Sequence, residues 1–142
     1  MKKLIIHGCE ARGDYGQPYL TRWIIAKFPK WAIYFHKFHR SDADDLHDHP
    51  WSFISIILWR GYNEVTFAKS RYGFMNLTER VTKRIYPGQI IYRHSTHTHR
   101  VELLNNKPAY TIVIRFKYVR YWGFWINKQW QDFREYFKEQ GC

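Results

Sequence analysis

The segments LHDHPW (Leu46–Trp51) and RHSTHTHRVEL (Arg93–Leu103) hold five of the eight histidines in this 142-residue sequence. In an extended strand, residues two apart project to the same face, so His47 and His49 can present two imidazoles to one point. A third imidazole from elsewhere in the chain would complete a cap of ligands. Neutral imidazole binds Fe, Mn, Ni, Cu and Zn, and such a cap leaves coordination positions open for water or substrate.

Residues 41–61 keep the spacing of a known metal-binding motif. With His47 and His49 as the histidine pair, four residues lead to Ile54 and six more lead to Gly61. This spacing resembles the first motif of the cupin superfamily, G-x5-H-x-H-x3,4-E-x6-G. Ile54 stands at the position of the glutamate ligand, and Ser41 stands at the position of the leading glycine.

Residues 88–103 resemble the second cupin motif, G-x5-P-x-G-x2-H-x3-N. Gly88 opens it, and His94 and Thr96 stand where proline and glycine are expected. His99 is in the ligand position, and Leu103 replaces the closing asparagine. The resemblance implies an all-β double-stranded β-helix, the cupin or jelly-roll barrel, formed by residues 1–142 as a single domain. It is closest to small bacterial and phage cupins that carry no assigned reaction.

Short β-rich runs separated by Gly, Pro, Asn and Asp support a sandwich or barrel. These runs are Trp31–His39, Trp51–Trp59, Tyr62–Ala68, Arg84–Tyr92 and Tyr110–Val119. The tail differs, because Trp130, Phe133 and Phe137 follow one another at spacings of three and four. This pattern predicts an amphipathic helix over residues 127–140 that packs on the barrel.

The cupin resemblance implies a metal held by three histidines: His47, His49 and His99. A three-histidine site without the glutamate occurs in the thiol dioxygenase branch of the superfamily, which favours Fe(II), with Mn, Ni or Zn as alternatives. His97 shares strand parity with His99 and is the first candidate for a fourth ligand. The alternative for His97 and His94, a hydrogen-bonding role in a polar loop or behind the ligands, is favoured over ligation.

Other side chains could complete the site. Glu64 and Glu102 are the carboxylates near enough in sequence to replace the missing glutamate. His36 and His39 lie three residues apart on the preceding strand, so at most one of them faces the cavity.

Four side chains near the second motif are candidate substrate contacts: Tyr92, Arg93, His94 and Arg100. Tyr92 and His94 share a face of their strand. Arg93 and Arg100 have the opposite parity to His99 along their runs, which predicts that they lie outside the barrel.

The charge balance indicates an anionic partner. The sequence has 23 Lys and Arg against 12 Asp and Glu, a formal net charge of +11. Such a field attracts carboxylates, phosphate esters or nucleic acid, although the basic residues form no dense run and could equally be a solvated surface. Nucleic acid is the less favoured partner, since the aromatic residues fall in apolar strand patterns and no nucleic-acid motif is present.

Three functions remain open at this point. The first is a mononuclear Fe(II)-type dioxygenase or hydroxylase acting on a small anionic molecule. The second is an isomerase or epimerase of a phosphosugar or nucleotide sugar, with a histidine as base. The third is a non-catalytic cupin that binds a ligand or nucleic acid.

The remaining features predict a cytoplasmic protein. No segment has the apolar length of a signal peptide or a membrane span. Cys9 and Cys142 are the only cysteines, and we interpret both as incidental thiols. A homodimer is implied by the cupin resemblance alone.

Overall fold

The computed structural model describes all 142 residues and consists of two six-stranded sheets followed by one helix. The elements are β1 (Lys2–His7), β2 (Pro18–Lys27), β3 (Trp31–Phe38), β4 (Leu46–His47), β5 (Phe53–Trp59), β6 (Tyr62–Lys69), β7 (Met75–Ile85), β8 (Ile90–Arg93), β9 (His99–Leu103), β10 (Ala109–Phe116), β11 (Gly123–Ile126), β12 (Gln129–Asp132) and α1 (Phe133–Gln140).

The sheets are both antiparallel. The strand order is β1-β2-β3-β10-β5-β8 in the first sheet and β12-β11-β4-β9-β6-β7 in the second. Neighbours in each sheet are distant in sequence at several places, for example β3 beside β10 and β4 beside β9. The predicted all-β jelly-roll with a C-terminal helix is confirmed.

The core lies between the two sheets and draws on both. Its largest cluster of buried apolar side chains comprises Ile57, Tyr62, Ile85, Val101, Leu103 and Ala109. Tyr62 and Val101 also line the interior cavity described below, so this cluster forms part of the cavity wall. Packing of this kind supplies most of the stability of such a fold.

One predicted strand is interrupted. The run Arg84–Tyr92 is split, because β7 ends at Ile85 and β8 begins only at Ile90. Between them the chain turns through Gly88, whose φ of 91° lies in the left-handed region that favours glycine. The glycine of the second motif therefore makes a turn rather than a strand.

The C-terminal helix is shorter than predicted. It begins at Phe133, where the Asp132 side chain caps the first turn by accepting a hydrogen bond from Arg134 N at 2.8 Å. The start at Asn127 is wrong, because Asn127 and Lys128 adopt positive φ values of 49° and 67°. These two residues form the tight turn that joins β11 to β12.

The helix packs on the barrel, as the apolar stripe predicts. Phe133 stacks on Trp122 with ring centroids 4.8 Å apart, and Tyr136 stacks on Phe124 at 3.7 Å. Burial of large aromatic rings explains the stripe without base stacking. The helix is too short and too polar to cross a membrane, and it is the only α-helix in the chain.

A disulfide joins Cys9 to Cys142, so the interpretation of these residues as incidental thiols is wrong. The two cysteines are 133 residues apart in sequence, yet their Cα atoms lie 4.3 Å apart in the fold. The backbone agrees, since Glu10 N donates a hydrogen bond to Gly141 O at 3.1 Å. Sequence spacing carries no signal for a pairing of this kind, which tertiary structure alone creates.

Candidate metal centre

The structure brings three histidines of the two motifs together. His47 ends β4 and is the direct register partner of His99, which begins β9. His49 lies two residues beyond His47, and its ring centroid is 5.1 Å from that of His47 and 5.0 Å from that of His99. One nitrogen from each ring lies within 4.8 Å of the other two. Three imidazoles thus converge on one point.

Asp48, between the two histidines, faces the opposite way and anchors the segment. Its carboxylate accepts hydrogen bonds from Gly123 N at 2.8 Å, Trp130 Nε1 at 3.0 Å and Arg120 Nη2 at 3.1 Å. These donors lie on the β11–β12 hairpin and the segment before it. The β11–β12 hairpin therefore holds His47 and His49 in their orientation. It forms where the helix was predicted to begin.

The protonation state of the cluster suits metal binding. Burial, and then the neighbouring His99, hold the pKa values of His47 and His49 well below their usual value. Both rings are therefore neutral at pH 7, as a ligand imidazole must be. His49 Nδ1 is also a buried polar atom without a hydrogen-bond partner. The donor set fits a divalent transition metal such as Fe, Mn, Ni or Zn.

Glu64, on β6, orients His99 from behind. Its Oε2 lies 2.7 Å from His99 Nδ1, which leaves His99 Nε2 for the cluster. Arg93 clamps the same carboxylate, with Nη2 at 2.6 Å from Oε1. Although burial raises the pKa of Glu64, the hydrogen bonds from His97, His99 and Arg93 together hold it well below its usual value. A carboxylate behind a ligand histidine fixes its tautomer and strengthens it as a ligand.

His97 lies beside Glu64 rather than beside the histidine pair. Its Nε2 is 3.3 Å from Glu64 Oε2, and burial lowers its pKa. Glu64, His97 and His99 form a second group with ligand atoms within 4.8 Å, but hydrogen bonds already connect its members. The geometry of His97 matches the hydrogen-bonding alternative.

None of the four candidate substrate contacts lines the interior cavity. Tyr92 is 57% exposed, and the exposed His94 is hydrogen-bonded to Thr96. Arg93 is paired with Glu64. Arg100 donates to the backbone oxygens of Asp42 and Ala43 and pairs with Glu102. The prediction from strand parity that Arg93 and Arg100 lie outside the cavity is correct. Strand parity did not predict that Tyr92 and His94 face solvent.

An aromatic ring lies beside the histidines next to the position of the missing glutamate. Phe53, one residue before Ile54, is the side chain that points inward, and its ring centroid lies 4.8 Å from that of His49. Ile54 does not line the cavity. β5 contains no acidic residue, and Glu102 pairs with Arg100 and does not line the cavity.

Asp42 is a carboxylate at the site that the sequence did not single out. It is buried, lines the cavity and has Oδ2 3.9 Å from His47 Nε2. Val101 N donates to it at 2.7 Å and the Tyr19 hydroxyl donates to its other oxygen, while burial raises its pKa. Asp42 belongs to the run SDADD, whose composition is typical of a turn, so no pattern distinguished it from its neighbours.

The three histidines line an interior cavity of about 470 Å³. A groove of about 510 Å³ on the side of the Cys9–Cys142 disulfide adjoins it. Cavity and groove share six lining residues: Ile6, Tyr19, Asp42, His47, Trp122 and Phe137. This volume suits a small-molecule ligand, and the mixture of aromatic walls with a few polar groups is typical of such sites.

Comparison with known proteins identifies the fold. No protein-family profile and no curated protein matches the sequence. Among solved structures, a cupin domain from Bordetella pertussis Tohama I has a TM-score of 0.52 and 13% identity, covering 70% of this chain and 95% of that chain. A putative mannose-6-phosphate isomerase from Ralstonia eutropha JMP134 has a TM-score of 0.53 and 12% identity, covering 72% and 88%. The fold is thus of the cupin type.

A third similar structure is an Fe(II) form of HppE. It has a TM-score of 0.55 and 11% identity, and the match covers 81% of this chain and 57% of that chain. At these identities the likeness defines the fold and not the reaction. The reaction therefore depends on the residues of this cavity.

Proposed function

We propose that this protein is a metal-dependent enzyme of the dioxygenase or hydroxylase kind that holds one Fe(II) ion through His47, His49 and His99. Its substrate is a small anionic molecule bound in the interior cavity. The observation that carries the proposal is the convergence of three imidazoles, two of them kept neutral by burial, on the wall of a cavity.

The surroundings of the three histidines support a catalytic rather than a purely structural metal. Structural zinc sites are closed by four protein ligands, whereas catalytic sites keep a position open. Here the neighbour of His49 on β5 is Phe53, which cannot be a ligand, and the three histidines line the cavity. A bound metal would supply Lewis acidity or redox chemistry to a ligand at that open position.

The protein's own groups have distinct tasks in this proposal. Glu64 fixes the ring of His99 through Nδ1. Asp42, whose pKa is raised by burial, can hold or release a proton next to His47, and the Tyr19 hydroxyl orients it. Aromatic side chains around the cluster, including Trp51 and Phe53, exclude bulk water from the reacting group.

Fe(II) is preferred for two reasons. Imidazole ligands with open coordination positions suit non-haem iron, and a protein of similar fold, HppE, has a structure in its Fe(II) form. Mn, Ni and Zn accept the same ligands and remain the alternatives.

The test is metal analysis of protein purified without a histidine tag and loaded anaerobically with Fe(II). We expect about one ion per chain in the wild type and a large loss in His47→Ala and His99→Ala. The matched control is His94→Ala, an exposed histidine of the same motif, which retains the metal. Absence of stoichiometric metal from the folded wild type would overturn the proposal.

One observation favours the isomerase or epimerase as a second candidate. The sequence offered no His–Asp pair, but the fold brings Asp42 Oδ2 to 3.9 Å from His47 Nε2 inside the cavity. Such a pair could act as a general base without a metal. Turnover of phosphosugars that survives complete metal removal would favour this candidate over the first.

A further inference from the structure

Three polar side chains form a row on the inner face of the first sheet. Arg22 on β2 is the register partner of His36 on β3, and His36 is the register partner of Thr111 on β10. All three line the same interior cavity as the histidine cluster. The row is not part of either cupin motif, and the sequence predicted only that at most one of His36 and His39 faces the cavity.

The row has unused hydrogen-bonding capacity. Arg22 Nε donates to His36 Nε2 at 2.9 Å, and its guanidinium stacks on the Tyr34 ring at 4.3 Å from the centroid. Its two terminal amino groups make no hydrogen bond or ion pair within the chain. His36 Nδ1 and Thr111 Oγ1 are fully buried atoms without a partner, whereas Arg22 is half-buried. Buried polar groups in native proteins are normally satisfied, so the two buried atoms indicate that a group from outside the chain satisfies them.

The donors all suit one kind of ligand. His36 Nε2 accepts the Arg22 bond, so the proton of the neutral ring is on Nδ1, which becomes a donor. The guanidinium offers two further N–H groups in a planar fork, and the Thr111 hydroxyl can add another donor. Donors without an acceptor of their own on one cavity wall suit an oxyanion.

The positive charge of arginines without a carboxylate partner also indicates an anionic ligand. Neither Arg22 nor Arg115, a fully buried arginine on β10, is paired with a carboxylate. Arg115 instead donates to the Tyr34 hydroxyl and to backbone oxygens of the 28–29 turn and of Phe116. Asp42 is the only acidic residue lining the cavity, and Tyr19 and Val101 already hydrogen-bond to it. An anion placed beside Arg22 would offset the cost of burying this charge.

We propose that Arg22, His36 and Thr111 form a subsite for the carboxylate, phosphonate or phosphate group of a small molecule. The subsite itself stands on these three residues; that the bound molecule presents its other end to His47, His49 and His99 rests on the proposed function. The planar fork of Arg22 favours a carboxylate, while a tetrahedral oxyanion can engage Thr111 as well. Both kinds of anion would use the same donors, and separate titrations with acetate and with methylphosphonate distinguish them.

The experiment titrates isotope-labelled protein with sodium acetate and, separately, with methylphosphonate, and follows the Arg22 Nε–H resonance by NMR. We expect a saturable shift with at least one of the two anions. Arg22→Gln raises the dissociation constant, read from the backbone amides around the cavity, at least about tenfold. Thr111→Val, nearly equal in size, weakens binding by a smaller factor, and more for methylphosphonate than for acetate.

The matched control is Arg71→Gln, which removes the same charge from an exposed turn and leaves binding unchanged. Absence of a saturable Arg22 shift in the folded wild type with both anions would overturn the proposal. Equal anion affinity in the wild type and in folded Arg22→Gln would also overturn the proposal. If Arg22→Gln does not fold, the wild-type shift and Thr111→Val decide the question.

Metal content measured on the same samples separates this proposal from the proposed function. Anion binding that depends on Arg22 in protein without stoichiometric iron would support the subsite and reject the iron enzyme. Stoichiometric iron together with anion binding that is unchanged in Arg22→Gln would support the iron enzyme and reject the subsite.

Discussion

His99 Nδ1 and Glu64 Oε2 lie 2.7 Å apart, and this hydrogen bond links a carboxylate of β6 to the histidine that the second motif provides. The expected glutamate of the first motif would have been a direct ligand. Here the buried carboxylate lies behind the ligand set and orients one member of it. This barrel thus lacks the expected glutamate but has a buried carboxylate beside the three histidines in a different position.

Glu64→Gln should weaken the binding of Fe(II) by about 10–100-fold, because the amide no longer fixes the His99 tautomer with a charged acceptor. It should also lower the unfolding temperature, since the Arg93 guanidinium loses its ion pair. Competition with a chelator measures the affinity. Glu102→Gln, at a carboxylate remote from the histidines, is the control. Unchanged metal affinity in folded Glu64→Gln would refute this role.

Asp48→Asn should lower the free energy of unfolding by about 1–3 kcal/mol, because it replaces a buried charged acceptor of hydrogen bonds from Gly123, Trp130 and Arg120. Metal binding should weaken as well, since Asp48 lies between His47 and His49. Urea denaturation and metal analysis measure the two effects. Asp44→Asn, whose side chain is 99% exposed, should change neither.

The stability of the metal-free protein should depend on pH below about 6.5. Burial lowers the pKa values of His36, His47 and His49 in the folded state, so the unfolded chain binds more protons between those values and about 6.5. Stability is therefore fully present above this window and falls as the pH falls through it. Each of the three groups contributes at most about 1.4 kcal/mol per pH unit.

Denaturant midpoints measured from pH 8 to pH 5 after metal removal provide the check. His36→Gln should reduce the slope by up to one proton without touching the metal cluster. A flat profile over this range would show that the folded and unfolded chains bind equal numbers of protons, which contradicts the prediction.

Cys142→Ser should destabilise the protein by roughly 4 kcal/mol, because the disulfide closes a loop of more than a hundred residues in the unfolded chain. Chemical denaturation with and without reductant measures the difference. Reductant should shift the wild type towards the variant and leave the variant unaffected. Equal stability of both proteins under oxidising conditions would contradict the pairing.

A cytoplasmic location stays a prediction, and a persistent disulfide would favour a more oxidising environment.

The sequence predicted the parts of this protein that depend on local spacing. Alternation along an extended chain brought His47 and His49 to one face, and the second motif located His99 correctly beside them. Turn residues and β-branched runs indicated the antiparallel sheets. The helix start failed because a periodic aromatic pattern cannot reveal that Asn127 and Lys128 form a hairpin turn first.

The groups that surround the histidines were harder to predict because tertiary structure alone brings them together. Asp42 and Arg22 lie far in sequence from His99 and carry no motif, yet all three line one cavity. Glu64 was considered as a replacement ligand, but only the register of β6 beside β9 reveals that it contacts the outer nitrogen of His99. Strand pairing between distant segments is what one sequence alone does not specify.

The covalent bond between Cys9 and Cys142 makes nearly the whole chain a closed ring. A protease that cuts the exposed turn near Arg71 would therefore leave two fragments joined at the disulfide, which separate only after reduction. The order of proteolysis and reduction therefore decides whether the two fragments stay together.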